Sequence, residues 1–205
     1  MLLHTLYLIA IVAEAMTAAL AAGRRSMDWV GVCLLGAVTA LGGGSARDVL
    51  FGHYPLSWVS HPEYLVITAG AALMTIAVAR VMHRLRSVFL VLDAIGLVVF
   101  TVIGCNVALD LGLPTVDVIV SGMITGCVGG VLRDVLCNDV PLLFRSELYA
   151  SVSVVAGGLY VGGLSAGLPH DLVMAGAMGA GLVLRLLAIA YGWNMPKFVY
   201  AEDLH

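Results

Sequence analysis

The sequence predicts an all-α membrane protein: seven transmembrane helices, laid out as two inverted three-helix repeats and a seventh helix. Three observations carry this expectation. Of the 205 residues, 61% are hydrophobic and 11% charged, with a mean hydropathy of +1.03, whereas a soluble domain carries about 25% charged residues. Seven windows are long and apolar enough to cross a bilayer. Finally, "GGGSARDVL" (Gly42 to Leu50) returns almost residue for residue as "GGVLRDVL" (Gly129 to Leu136).

A spanning helix needs about 20 mostly apolar residues. The windows run from Leu3 to Ala22, Trp29 to Val49, Tyr64 to Val81, Val88 to Ala108, Val116 to Leu136, Leu148 to Leu164 and Leu172 to Tyr191. The opening "MLLHTLYLIAIVAEAMTAALAAG" lacks the basic leader of a signal peptide and its apolar run is long, so it is expected to stay as the first span. Between the windows lie short connections holding Arg24, Arg25, Pro55, Pro62, Pro114, Pro141 and Pro169. They leave no room for a soluble domain, and residues 1–205 are expected to form one membrane domain.

Loops rich in Lys and Arg stay on the cytoplasmic side. Arg24 and Arg25 follow the first span, Arg80, Arg84 and Arg86 the third, Arg145 the fifth and Lys197 the seventh, which places all of them on one face. The opposite loops hold Asp110, Asp117 and Asp171 and no Lys or Arg. The expected topology is an outside amino terminus and a cytoplasmic carboxyl terminus in an inner (plasma) membrane.

The two motifs align at a fixed offset of 86 residues: Gly36 with Gly122, Thr39 with Thr125, Gly43 with Gly129, Gly44 with Gly130, Arg47 with Arg133, Asp48 with Asp134 and Pro55 with Pro141. Each unit contains three spans, an odd number, so the second enters the membrane upside down. The repeats cover about residues 1–82 and 87–166, with the extra helix at about 172–191. In inverted-repeat proteins, helices interrupted at equivalent positions point to a transport path. Gly42, Gly43 and Gly44 in the second span and Gly129 and Gly130 in the fifth are expected to break their helices beside a charge pair, because adjacent glycines relax a helix and free carbonyl groups. Glycines in the sixth and seventh spans, such as Gly157, Gly158, Gly162, Gly163, Gly176, Gly179 and Gly181, are assigned to close helix packing.

Ionisable residues inside a membrane are costly and point to function. Arg47 and Asp48, and Arg133 and Asp134, lie toward opposite ends of inverted spans, able to pair across the halves, snorkel or meet lipid phosphate. Glu14 in the first span and Asp93 in the fourth are either pathway carboxylates or structural salt-bridge partners. Arg185 in the seventh span is expected to snorkel or pair locally. Cys33, Cys105, Cys127 and Cys137 show no CxxC spacing and read as small apolar residues. His4, His53, His61, His83, His170 and His205 are terminal or in loops without ligand spacing, so no metal site and no cofactor is expected. No nucleophile and base, phosphate loop or HExxH signature suggests an enzyme. With a net charge of -3 and scattered basic residues, nucleic-acid binding is not expected.

The stretches "TALGGGSARDVL", "TGCVGGVLRDVL" and "LDAIGLVVFTVIG" resemble the bacterial members of the trimeric intracellular cation channel (TRIC) family, over nearly the whole chain. Those members also go under the name of a glycine transporter domain. The resemblance implies a homotrimer with a pore in each protomer, permeation of potassium or sodium ions, and pore lining by spans one, two, four and five. It implies pore or gating roles for Gly42, Gly43, Gly44, Arg47, Asp48, Asp93, Gly129, Gly130, Arg133 and Asp134, beside Glu14 from the residue reading, and contact with membrane lipids. The second repeat departs at Val128, where the first has Gly42. A secondary transporter of a small solute such as glycine is the alternative, because an inverted repeat serves either.

Overall fold

A computed structural model describes residues 2–79, 85–145 and 148–193. Arg80, Val81, His83, Arg84, Lys197 and His205 lie outside the described residues. Among the described residues there are nine helices and no strand: α1 (Leu2–Arg24), α2 (Trp29–Phe51), α3 (Ser57–Ser60), α4 (Glu63–Ala79), α5 (Leu85–Asp110), α6 (Thr115–Leu136), α7 (Leu142–Arg145), α8 (Tyr149–Ser165) and α9 (His170–Tyr191). The protein is an all-helical membrane protein. Five helices, α1, α2, α5, α6 and α9, are long and apolar enough to cross a membrane. The other two long ones, α4 and α8, have 17 residues each, which reach about 25 Å at 1.5 Å per residue.

The helix ends follow local chemistry. The Asp28 carboxylate accepts the Gly31 N–H at 2.7 Å and caps α2. Gly52 ends α2 and Gly192 ends α9, each in the left-handed conformation with φ 71° and 65°. The short helices α3 and α7 had no apolar window to reveal them. Each follows a proline of the repeated motif, Pro55 or Pro141.

Of those five helices, α5 is the most apolar and the most enclosed, packing on α1, α6, α8 and α9. Small residues set these distances. On α6, Gly122 lies against the Thr101 carbonyl and Gly126 against the Leu97 carbonyl, so the α5 and α6 backbones nearly touch. The Ser121 hydroxyl then donates to the Gly104 carbonyl at 2.8 Å, and Thr101 and Ser153 share a hydroxyl bond of 2.7 Å between α5 and α8. At the start of α9, the His170 ring is 2.9 Å from the Tyr160 hydroxyl and 3.0 Å from Asn106 Oδ1, tying α9 to α8 and α5.

The glycines of the second and fifth spans do not break their helices. Both α2 and α6 remain helical through them, because those glycines serve close approach instead. A methyl group on Gly43 would overlap the Thr125 carbonyl, and one on Gly129 would overlap the Thr39 carbonyl. The helices cross backbone to backbone at that point, and the i to i−4 hydrogen bonds need not open for it.

Of the glycines assigned to packing in the last two long helices, Gly157, Gly163 and Gly181 meet neighbours, whereas Gly158, Gly162, Gly176 and Gly179 have nothing within 4 Å of an added methyl. Arg185 does not snorkel: it is fully buried, with its guanidinium over the Tyr149 ring at 4.8 Å.

Candidate functional site: two arginine clusters on one helix crossing

The α2–α6 crossing sits between two charged clusters at opposite ends of the bundle. Adjacent helical residues point about 100° apart, so each Arg folds its long side chain back to reach its own neighbour. Arg47 Nε and Nη2 donate to Asp48 Oδ1 at 2.9 and 2.6 Å. His53 Nδ1 lies 2.9 Å from the same oxygen, and Ser57 of α3 donates to Asp48 Oδ2 at 3.5 Å. Asp48 is fully buried and Arg47 nearly so.

Around Arg47 opens a cavity of about 420 Å³. Its walls come from α1 (Leu3, Tyr7), α2 (Leu41, Ser45), α5 (Phe100, Asn106) and α6 (Thr125). Its rim carries His4, His53 and His61, which the sequence shows only as terminal or loop histidines without ligand spacing. Trp58 Nε1 donates to Ser45 Oγ at 3.2 Å and fixes α3 at that rim. Gly44 keeps the Arg47 Nη2 side of α2 clear, at 3.8 Å from an added methyl.

The second cluster is richer and fully enclosed. Arg133 Nε donates to Asp134 at 2.9 Å, while Nη1 donates to Asp93 at 2.8 Å and to the Thr17 hydroxyl at 3.0 Å. Glu14 Oε2 lies 3.8 Å from Nη1. Tyr149 donates to Asp93 at 3.3 Å, and the Leu142 N–H of α7 donates to Asp134 Oδ2 at 2.9 Å. Thus Asp48 holds α3 and Asp134 holds α7. Gly96 leaves the space that the Glu14 carboxylate fills, since a methyl there would overlap it, and a methyl on Gly130 would press the Tyr149 hydroxyl at 3.1 Å.

Of the sequence-singled residues, Glu14, Asp93, Arg133 and Asp134 form one ion-paired group. Arg47 and Asp48 form the other, and Gly43 and Gly129 the crossing between them. Gly42 meets Leu132, whereas Val128, at the equivalent position of α6, is half-buried. Sequence reasoning missed Thr17, His53, Trp58, Phe89 and Tyr149. Three of these are aromatic residues that pass for apolar filler, and their signal is the position next to a charged residue in space.

The family described as glycine transporter matches the chain over residues 4–80 and 90–165. The UPF0126 inner membrane protein YadS of Escherichia coli (strain K12) is 35% identical over 99% of this chain and 99% of its own. A UPF0126 membrane protein of Vibrio cholerae serotype O1 is 36% identical over 92% of this chain and 79% of its own. Among solved structures, a TRIC trimeric intracellular cation channel orthologue from Rhodobacter sphaeroides superposes with a TM-score of 0.90 at 33% identity, covering 93% of this chain and 98% of that one.

Proposed function

The chain belongs to the family described as glycine transporter, as a bacterial member of the trimeric intracellular cation channels, and from that membership we propose that it is a cation channel permeable to potassium. One observation carries the reading. The cavity of about 420 Å³ enters between α1, α2, α5 and α6 and reaches from the rim histidines past Arg47 to Thr125. An arginine raises the barrier for a cation unless a carboxylate offsets it. Asp48 offsets Arg47, and three carboxylates face Arg133, so the path is not dominated by positive charge.

In this reading the seven long helices all cross the membrane, as two inverted repeats (about 1–82 and 87–166) and a last helix (about 172–191). The reciprocal contacts of Gly43 and Gly129, and the two separate stretches matched by the family, support it. Each protomer of a homotrimer holds its own pore, within a bacterial inner membrane, with lipids around the outer faces. The amino terminus is outside and the carboxyl terminus cytoplasmic, which puts the cavity on the outer side. Arg47 and Arg133, with their carboxylates, control the two ends. Purified protein in a planar bilayer under a potassium gradient is expected to give discrete current steps. Saturable, gradient-coupled glycine uptake without such steps would overturn the channel reading.

A further inference from the structure

At the end of the bundle opposite the cavity, an aromatic ring lies against the buried charge cluster. Phe89, in the second turn of α5, has the Arg133 guanidinium 4.6 Å from its centroid and the Arg24 guanidinium 5.1 Å from it. Arg24 is exposed, Phe89 is 6% exposed and Arg133 is fully buried, so the ring meets one solvated cation and one dry one. Both faces of a benzene ring attract cations. Phe89 also sits one helical turn before Asp93, which places it over the Asp93–Arg133 ion pair. Next to Arg24, Arg25 donates to Asp139 at 2.5 Å and ties the turn after α1 to the turn after α6.

The cavity end lacks this arrangement. The residue 86 positions before Phe89 is Leu3, which lines the cavity wall. Among the described residues, no ring lies over the Arg47 guanidinium. The cavity end therefore has Leu3 in its wall and no ring over Arg47; the other has the Phe89 ring against both Arg24 and a fully buried Arg133, with a separate cavity of about 480 Å³ opening on the Arg24 side between α1, α2, α4 and α5.

We infer that Phe89 is the plug of this pathway: its ring, which meets both the Arg24 and the Arg133 guanidinium groups, closes the way past Arg133 at the end opposite the cavity, and cations pass when it leaves Arg133. The inference rests on the channel reading above. Apolar constrictions stop ions by excluding water, and here the Arg24 side keeps the plug seated from the solvent side. The two guanidinium groups repel each other while both attract the ring, so the seat is held without being locked.

Single-channel recording of the full-length protein tests this with Phe89→Leu, Phe89→Trp and Arg24→Gln. Leucine keeps apolar bulk and removes the π faces, so Phe89→Leu is expected to raise the open-to-closed ratio by about tenfold, the scale of losing one to two cation–π contacts. Phe89→Trp restores the closed preference, and Arg24→Gln gives a smaller rise. A role confined to packing would lower the melting temperature of Phe89→Leu without changing that ratio, and would overturn the plug. Arg24 is exposed, so its variant folds whatever Phe89 tolerates, and an unchanged ratio in Arg24→Gln would also overturn it. If the parent conducts and these ratios do not move, the plug fails and the channel stands. If the parent carries no cation current, both fail.

Discussion

Gly43 of α2 lies against the main-chain carbonyl of Thr125 in α6 so closely that a single methyl group would overlap it. The same contact recurs between Gly129 and Thr39. Gly43→Ala and Gly129→Ala are therefore expected to push the two helices apart, each destabilising the protein by about 1–3 kcal/mol through overpacking. Gly158→Ala, where an added methyl meets nothing within 4 Å, is expected to stay within about 0.5 kcal/mol of the parent. Thermal unfolding in detergent separates the two outcomes.

The two arginines differ in what their loss leaves behind. Arg133→Ala strands Asp93, Glu14 and Asp134 without their common partner in a buried site, at an expected cost of about 3–5 kcal/mol. Asp93→Asn in the same chain should recover part of that loss, and a double-mutant cycle in denaturation measures the coupling. Arg47→Ala leaves Asp48 with His53 and Ser57 beside a cavity. Its cost is expected to be smaller, and equal costs for the two arginines would count against this account.

Gly96 makes room for the Glu14 carboxylate between α5 and α1. Gly96→Ala is expected to drive that carboxylate off its place 3.8 Å from Arg133 and lower the melting temperature. Gly96→Ala combined with Glu14→Ala, which shortens the side chain, should be milder than Gly96→Ala alone. Additive losses in the double variant would contradict the arrangement.

Accessibility offers a check that does not depend on current. Ser45→Cys, placed at the cavity wall, should react quickly with a water-soluble thiol reagent. Native Cys105 and Cys127 are buried and should not react; Cys33, which is half-buried, is replaced by Ser beforehand. Rapid labelling of Cys127 in the folded protein would show that water reaches the middle of α6.

The Arg25–Asp139 pair is partly exposed, with side chains 42% and 30% accessible, so it is worth at most about 1 kcal/mol. Asp139→Asn should change unfolding little, and any change should shrink in high salt.

The long helices were legible in the sequence because hydropathy and length are local properties. Seven windows fall within a few residues of α1, α2, α4, α5, α6, α8 and α9. The doubled Arg-Asp motif was legible for a similar reason: a repeat is visible without knowing the fold. Partner choice was not. Nothing in the sequence distinguishes Asp93, which binds Arg133 directly, from Glu14, which sits 3.8 Å away, since both are single carboxylates in apolar spans. Glycine pairs were misjudged because a helix break and a close backbone approach use the same residue. Only the opposing Thr39 and Thr125 carbonyls decide between them. Phe89 carried no signal of its own, because a phenylalanine over a guanidinium looks like any other apolar residue until the fold brings Arg24 and Arg133 to its ring.

The crossing of α2 and α6 also has a mechanical side. With both backbones in contact at Gly43 and Gly129, the crossing is a fulcrum, and Arg47 and Arg133 are the ends of two short arms. Each arginine is four residues beyond its glycine, or about 6 Å along the axis, so a 10° tilt about the fulcrum displaces each by about 1 Å. Because the arms lie on opposite sides of the contact, a rocking of one helix on the other that opens the crossing at the Arg47 end closes it at the Arg133 end. A load applied at either end of the crossing would thereby reach the other as a rotation, with no need for a chain of side chains to carry it.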